Sequence, residues 1–258
     1  MLKRRAFMST ATLIPAAILS DAVAARPTNN AATAQFDPAF SSIEQNILKE
    51  VSEQNSLNAK MTVSVTIATL VTMQGQDELR TFVPRAIALG ASVAEIKEAA
   101  YQCTPYIGLV RVKEALNTIN FALTEHKIAI PPIVDSNVTP ANRFEKGLAV
   151  QKSIFGNSID KMHQATPDEQ AFIMKQALSA YCFGDFYTRS VLDLKARELI
   201  TFTCIACLGG CESQLRAHRA GNYTVGNTRQ DLIGALAIAM PYVGFPRTLN
   251  ALAIVNEK

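Results

Sequence analysis

The sequence lacks an excess of charge of either sign. Its 258 residues include 25 Lys and Arg and 22 Asp and Glu, and the formal net charge is +3. Loss of a leader carrying three cations and one anion would lower this charge to +1. Proteins that bind nucleic acid or anionic lipid use clustered positive charge, so this balance disfavours both partners. Hydrophobic residues make up 48% of the chain, which is ordinary for a globular protein.

The N-terminal region lacks an apolar run long enough to span a bilayer. It combines Lys3-Arg4-Arg5, a short apolar run over 11–19 and the small residues Ala22-Val23-Ala24. This order of regions is typical of a cleaved export signal. We therefore predict a signal peptide at 1–24 and an exported, periplasmic protein that uses the twin-arginine or the general secretory route. No cysteine precedes Cys103, so we expect no lipid anchor.

The chain also lacks the apolar and polar alternation that is typical of strands. From residue 36 onward, apolar residues recur at helical spacing, and Pro and Gly separate the segments. The most β-branched segment, 62–72, is interpreted as a buried helix because its partner in the repeat described next is helical. We therefore predict an all-α fold.

One internal repeat organises the sequence. Residues 90–120 align with residues 226–256 at a constant offset of 136, and one residue must be inserted near Gly209-Gly210 to extend the alignment upstream. Two copies indicate a duplicated domain, because a solenoid needs more units. The predicted boundaries are a signal peptide at 1–24, a tether at 25–35, a first module at 36–127, a proline-containing linker at 128–142 and a second module at 143–258. Within the second module, two helices are predicted at 143–155 and 166–181, before the repeated segment.

The segment 195–226 contains the side chains best suited to catalysis. Glu198 lies early in an apolar helix, either as a first-turn charge that the helix dipole favours or as a semi-buried acid. Cys211 follows two glycines at the start of the next helix, and it shares one face of that helix with Gln214 and His218. A thiol, an imidazole and a carboxylate can supply a nucleophile, a base and an orienting acid. Glu198, Cys211 and His218 are therefore the candidate catalytic residues, and a purely structural role is the alternative.

The remaining cysteines lack the companions that a metal or redox centre needs. Cys204 and Cys207 lie in the apolar helix without a fourth ligand at zinc spacing, so we expect no metal and no cofactor. Cys204 is interpreted as a core residue, and Cys207 stays open as a resolving thiol. Cys103 and Cys182 are interpreted as core residues as well.

These motifs together resemble the carboxymuconolactone decarboxylase family, which also contains alkylhydroperoxidase D. The motifs are the duplicated helical module, a Lys/Arg-x-x-Glu segment before an apolar helix, the Cys-x₆-His spacing and Pro-Tyr-Val-Gly-Phe-Pro at 241–246. The resemblance covers about residues 40–256. It implies two tandem helical-bundle modules that act without a cofactor on a small molecule, and a homo-oligomer such as a trimer of chains.

The resemblance carries over to the site residue by residue, with one departure. In the peroxidase branch a Glu, a Cys-x-x-Cys pair and a His form a proton relay. Glu198, Cys211 and His218 match the Glu, the first Cys and the His, but Gln214 stands at the second Cys. In the first module Gly75 aligns with Cys211, Phe82 with His218, and Val63 or Thr62 with Glu198, so we expect one site per chain.

Three functional hypotheses follow from that departure. The first is a decarboxylase-like lyase in which His218 and Glu198 perform acid/base chemistry on a small acidic or lactone substrate, with Cys211 at the substrate. The second is a thiol peroxidase with peroxiredoxin activity, in which Cys211 is oxidised and Cys207 or an external thiol resolves it. The third is a non-catalytic binding or assembly protein on the same fold.

Overall fold

The computed structural model describes residues 29–133 and 136–257, with side chains described from residue 33 onward. The chain divides into two units, Met1–Glu44 and Gln45–Lys258. Every regular element in the described ranges is helical, which confirms the all-α prediction. None of the described helices is both long and apolar enough to cross a membrane. The predicted signal peptide at 1–24 lies outside the described residues.

Two helices precede the repeat. Helix α1 spans Asn29–Phe36 and α2 spans Pro38–Gln54. The part of the predicted tether that the structure describes, from Asn29 onward, is helical. The physical reason is composition, because the segment NNAATAQF contains three alanines, and alanine has the highest helix propensity.

Four helices form the first copy of the repeat. They are α3 (Ala59–Met73), α4 (Gln76–Ala88), α5 (Val93–Ile107) and α6 (Leu109–Glu125). The β-branched segment 62–72 lies inside α3, as predicted. Residues 128–133 and 136–142 contain no helix, and three prolines lie in these ranges, at Pro131, Pro132 and Pro140.

Among the described residues, four further helical elements lie between the two copies of the repeat, one of them a 3₁₀ helix at Asp168–Gln170. Helix α7 spans Arg143–Phe155, which is the range predicted, and the short α8 spans Ser158–Ala165, which was not predicted. A π-helix then spans Phe172–Tyr187. The helix predicted for 166–181 therefore begins later, at Phe172, and ends later, at Tyr187. Its backbone hydrogen bonds join residues five apart rather than four apart.

The second copy repeats the first helix by helix. Its elements are α9 (Leu194–Leu208), α10 (Glu212–Thr224), α11 (Arg229–Val243) and α12 (Phe245–Val255). Caps recur at equivalent positions, since Ser92 and Thr228 each form a capping box with an acid three residues later. These matching elements confirm the prediction of two tandem helical modules.

Helices α3 and α9 form the centre of the second unit. Both are buried along almost their whole length and pack against each other. Each contributes side chains to two core clusters: Ile67 and Ile200 lie in one, and Val65 and Phe202 lie in the other. A helix that is apolar on all sides must be covered on all sides. Helix α5 of the first copy accordingly packs on α9, and α11 of the second copy packs on α3.

Candidate active site

The turn between α9 and α10 places Cys211 at the end of a helix. Gly209 and Gly210 have φ angles of 68° and 69°, a region that favours glycine because it lacks a Cβ atom. The Arg247 guanidinium donates a hydrogen bond of 2.9 Å to the Cys207 carbonyl and so caps the end of α9. Cys211 is the N-cap residue of α10 and is half-buried. The thiol therefore lies where the sequence predicted, at the N-terminus of this helix.

His218 and Glu198 form a buried pair. His218 Nδ1 lies 2.9 Å from Glu198 Oε2, and the exposed fractions of the two residues are 9% and 0%. Gly221 lies one turn after His218, and a Cβ atom there would lie 2.6 Å from Glu198 Oε2. The absence of a side chain at Gly221 thus makes room for the carboxylate. Glu198 is a buried acid, which favours the second of the two interpretations of this residue.

A second hydrogen-bond partner holds the other oxygen of this carboxylate. The Tyr187 hydroxyl donates to Glu198 Oε1 at 2.7 Å. Because a phenol has only one proton to donate, the contacts of 2.9 Å to the Tyr187 oxygen from the hydroxyls of Tyr106 and Thr201 must be donated by those residues. Glu198 accepts at both oxygens and needs a donor at His218 Nδ1. The Nε2 atom of His218 is then the ring nitrogen available to a ligand.

The two tyrosines keep their protons near neutral pH. Burial raises the pKa of both Tyr106 and Tyr187 well above the ordinary value, and the neighbouring Cys182 and Glu198 raise it further. A continuous chain of neutral donors therefore leads from Tyr106 through Tyr187 to Glu198. Such a chain orients the carboxylate and lowers the cost of burying its charge.

Aromatic rings hold the imidazole in one orientation. The edges of Tyr106 and Phe155 approach it, with ring-centroid distances of 5.6 and 5.3 Å and interplanar angles of 90°. The Asn222 side-chain amide donates to the backbone carbonyls of Glu198 and His218 at 2.9 and 2.7 Å. These contacts fix α10 against α9, so the His218–Glu198 geometry is built into the packing.

One cavity of about 450 Å³ brings the reactive groups together. We call it the His218 cavity. Cys211, Gln214 and His218 line one side, Tyr106 lies at another, and the π-helix contributes apolar side chains and Cys182. Glu198 does not line the cavity itself, but it is hydrogen bonded to His218, which does. A cavity of this size with few polar groups is typical of a small-molecule site.

The cysteines divide into two groups. Cys182 lines the His218 cavity, with its sulfur 3.6 Å from the Tyr106 hydroxyl, so the sequence interpretation of Cys182 as a simple core residue misses its position. Cys204 and Cys207 are buried in α9 and do not line this cavity. All five thiols are free, and burial raises the pKa of Cys207 and of Cys182 to about 12.

The structure adds residues that the sequence reasoning missed. Tyr187, Tyr106 and Thr201 complete the Glu198 network, and Phe155 packs on His218. Tyr106 belongs to α5 of the first copy, although the cavity lies in the second. The sequence contained one sign of the role of Tyr106. The repeat aligns Tyr106 with Tyr242, and a tyrosine present at the same position of both copies could have been predicted to line a site. Within the described ranges, no cluster of three His, Cys, Asp or Glu side chains could hold a metal ion.

Comparison with known proteins agrees with this architecture. The profile of the family described as the carboxymuconolactone decarboxylase family matches residues 34–120 and residues 174–257, one match for each copy of the repeat. A curated 4-carboxymuconolactone decarboxylase from Acinetobacter baylyi is 26% identical over 120 residues. That alignment covers 45% of this chain and 85% of the relative.

Proposed function

The chain belongs to the carboxymuconolactone decarboxylase family, and from that premise we propose that it is a cofactor-independent decarboxylase of small acidic lactones or related acids. The observation that carries the proposal is the His218 cavity. It presents one imidazole whose second nitrogen is hydrogen bonded to a buried carboxylate. The relative's name, a 4-carboxymuconolactone decarboxylase, supports the same class of substrate.

His218 is the proton donor in this proposal. The bond between the substrate ring and its carboxylate breaks, carbon dioxide leaves, and the electron pair enters the conjugated carbonyl system of the ring. A protonated His218 then gives its Nε2 proton to the carbanionic carbon, and Glu198 stabilises the imidazolium through Nδ1. The next substrate or water returns the proton. The reaction written in this way requires neither a metal nor an electron acceptor.

Apolar side chains make the cavity weakly polar, which supports the reaction. Ile173, Leu178 and Ile205 line the cavity, and Ile205 is buried. A carboxylate loses its charge when it leaves as carbon dioxide, so a weakly polar environment favours the products over the charged substrate. Cys211 and Gln214 at the same cavity are in position to contact the substrate's polar atoms.

A thiol peroxidase is the second candidate, favoured by the presence of Cys211 and His218 in one cavity. The Cys211 thiolate would attack a peroxide oxygen, the O–O bond would break, and the leaving alkoxide would take a proton from His218. Two external thiols would then reduce the sulfenic acid and form a disulfide between them. An external reductant is needed because Cys207 lies outside the cavity, and burial raises its pKa to about 12.

The deciding experiment compares His218→Ala with the unaltered protein on a panel of small carboxylated lactones. We expect kcat/KM to fall by about 10² to 10⁴, the usual contribution of a positioned acid or base. Thr224→Ala at the exposed C-terminal end of the same helix is the matched control and should retain full turnover, because the Thr224 hydroxyl bonds only to the Ala220 carbonyl. Unchanged turnover in His218→Ala would contradict the proposal.

The peroxidase candidate is tested separately with hydrogen peroxide. Formation of a sulfenic acid on Cys211, detected by mass spectrometry, together with thiol-dependent peroxide consumption would favour it over the lyase. If Cys211→Ser retains lactone turnover and the native thiol stays unmodified at millimolar peroxide, the peroxidase candidate is wrong. If the protein performs neither reaction, the remaining hypothesis is a non-catalytic binding or assembly protein.

We also propose export to the periplasm and assembly into a trimer, as the N-terminal sequence and the family resemblance suggest. Mass spectrometry of the mature protein from a periplasmic fraction should give an N-terminus near residue 25. Size-exclusion chromatography with light scattering should give three times the mass of one chain. A full-length cytoplasmic protein or a monomer would contradict the respective proposal.

A further inference from the structure

The first copy of the repeat contains a second cavity, of about 300 Å³. We call it the Phe82 cavity. Phe82, Arg85 and Leu89 of α4 line it together with Thr66 of α3 and Tyr242 of α11. Residues of α2 and of the following loop, including Leu48 and Val51, form its other wall. The cavity is separate from the His218 cavity, because the two share no lining residue.

The repeat relates this cavity to the active site. The offset of 136 places Phe82 at the position of His218 and Tyr242 at the position of Tyr106. Thr66 corresponds to Thr201 across the one-residue insertion. The Phe82 cavity therefore lies where the second copy contains the buried Glu198 network. In the second copy, Tyr187 donates to Glu198 and Phe155 packs on His218, whereas residues of α2 and of the following loop line the cavity of the first copy.

The charge at the corresponding position is reversed. In the second copy, Gly221 faces the Glu198 carboxylate at contact distance. Arg85 stands at the equivalent position of the first copy, and Val63 replaces the acid. Arg85 is exposed at the cavity mouth, and no side-chain hydrogen bond or ion pair of Arg85 is found within the described residues. The Phe82 cavity thus combines apolar side chains and one unpaired cation with four polar side chains, those of Ser52, Asn55, Thr62 and Thr66.

We propose that the Phe82 cavity is a non-catalytic binding site for a small carboxylic acid with an apolar body. The acid's ring or chain would pack between Phe82, Tyr242 and the aliphatic walls, and its carboxylate would accept hydrogen bonds from the Arg85 guanidinium at the mouth. Arginine suits this role because its planar fork of N–H donors matches both carboxylate oxygens. The inference does not depend on the chemistry proposed for the His218 cavity, since it uses none of the same residues.

Benzoate is a suitable probe, and benzyl alcohol is its neutral counterpart. The chain contains no tryptophan, so Leu89→Trp introduces a single fluorophore at the cavity mouth. We expect benzoate to change the tryptophan emission saturably, and benzyl alcohol to bind about tenfold more weakly because it lacks the charge. Arg85→Met in the same background should weaken benzoate binding by a similar factor and leave benzyl alcohol unaffected. The exposed Arg85 is outside the core, so this variant should fold normally.

Two further measurements make the result decisive. Calorimetric titration of benzoate into the chain without Leu89→Trp, and into Arg85→Met, removes any dependence on the fluorophore. Gln214→Met alters the His218 cavity and should leave the Leu89→Trp response unchanged. The proposal is overturned if benzoate gives no saturable response, if benzoate and benzyl alcohol bind equally, or if Gln214→Met rather than Arg85→Met abolishes binding. Loss of lactone turnover in His218→Ala bears only on the catalytic proposal.

Discussion

At the scale of single residues, the Tyr187 hydroxyl is the donor whose removal most directly tests the Glu198 network. Tyr187→Phe leaves the ring in place and deprives Glu198 Oε1 of its 2.7 Å hydrogen bond. A buried carboxylate that loses a donor is destabilised, so we expect the free energy of unfolding to fall by about 1–3 kcal/mol and turnover to fall as well. Urea unfolding and steady-state kinetics measure the two effects. Tyr181→Phe, on the same π-helix and at the wall of the same cavity, should change stability by less than about 0.5 kcal/mol.

The residue-level prediction from sequence was limited by distance along the chain. The spacing of Cys211 and His218 on one helix predicted a shared face, and both residues do line one cavity. Tyr187 and Tyr106 lie 11 and 92 residues before Glu198, in segments without polar periodicity, so no local pattern relates them to the acid. Their roles depend on how the helices pack.

Thiol accessibility gives a second residue-level prediction. Burial raises the pKa of Cys182 and Cys207 to about 12, so at pH 8 only roughly one molecule in 10⁴ carries either thiolate. The thiolate fraction grows only as the pH rises toward 12. We therefore expect iodoacetamide at pH 8 to label the half-buried Cys211 first in the native protein. Peptide mapping by mass spectrometry checks the order, and equal labelling of Cys207 in folded protein would contradict it.

At the scale of elements, the approach of α10 to α9 depends on Gly221. A Cβ atom there would lie 2.6 Å from Glu198 Oε2 and 3.0 Å from Ile154 and Phe155. Gly221→Ala should therefore lower the free energy of unfolding by about 1–3 kcal/mol, even though alanine favours a helix by up to about 1 kcal/mol. Displacement of Glu198 should reduce turnover as well. Thr224→Ala, exposed on the same helix, should be neutral or slightly stabilising in the same urea titration, and a stabilising Gly221→Ala would refute the tight packing.

The type and the end of the π-helix could not be predicted from the sequence. Periodicity predicted a helix over 166–181, but the π-helical register and the extension to Tyr187 depend on contact with α7. Gly147 and Gly184 bring the two backbones together, and a Cβ atom at Gly147 would overlap the Ser179 carbonyl oxygen. Apolar periodicity does not encode such backbone proximity. The consequence is functional, because this helix carries both Cys182 and Tyr187.

At the scale of the whole molecule, the repeat allowed most of the fold to be predicted. An offset of 135 or 136 residues reproduces the helix starts of the second copy from the first, so the alignment correctly predicted two matching helical modules, and the structure shows four helices in each. The alignment could not predict that α5 of one copy would line the cavity of the other. That arrangement arises because α3 and α9 are mostly apolar and buried along almost their whole length, so each needs cover from both copies. The first copy lacks counterparts of Glu198, Cys211 and His218, yet it contributes to the cavity of the second copy, since it supplies Tyr106.

A buried ion pair couples the two copies further and permits a test of their interdependence. Arg197 of α9 and Glu98 of α5 are fully buried, with Arg197 Nη2 3.2 Å from Glu98 Oε2. Arg197 also donates to the Gln102 side chain at 2.8 Å. Glu98→Ala would leave the Arg197 charge buried without its acid, so we expect a loss of about 3–5 kcal/mol of stability.

The control for this prediction is the exposed ion pair of Lys60 and Glu95. Lys60→Ala should cost only about 0–1 kcal/mol, because water screens that pair. Guanidinium titrations followed by circular dichroism and by tyrosine fluorescence measure both variants. Since Glu98 and Arg197 belong to different copies, Glu98→Ala should shift one common transition for both probes. Two separated transitions would instead mean that each copy folds alone, and the first copy would then support the site only through Tyr106.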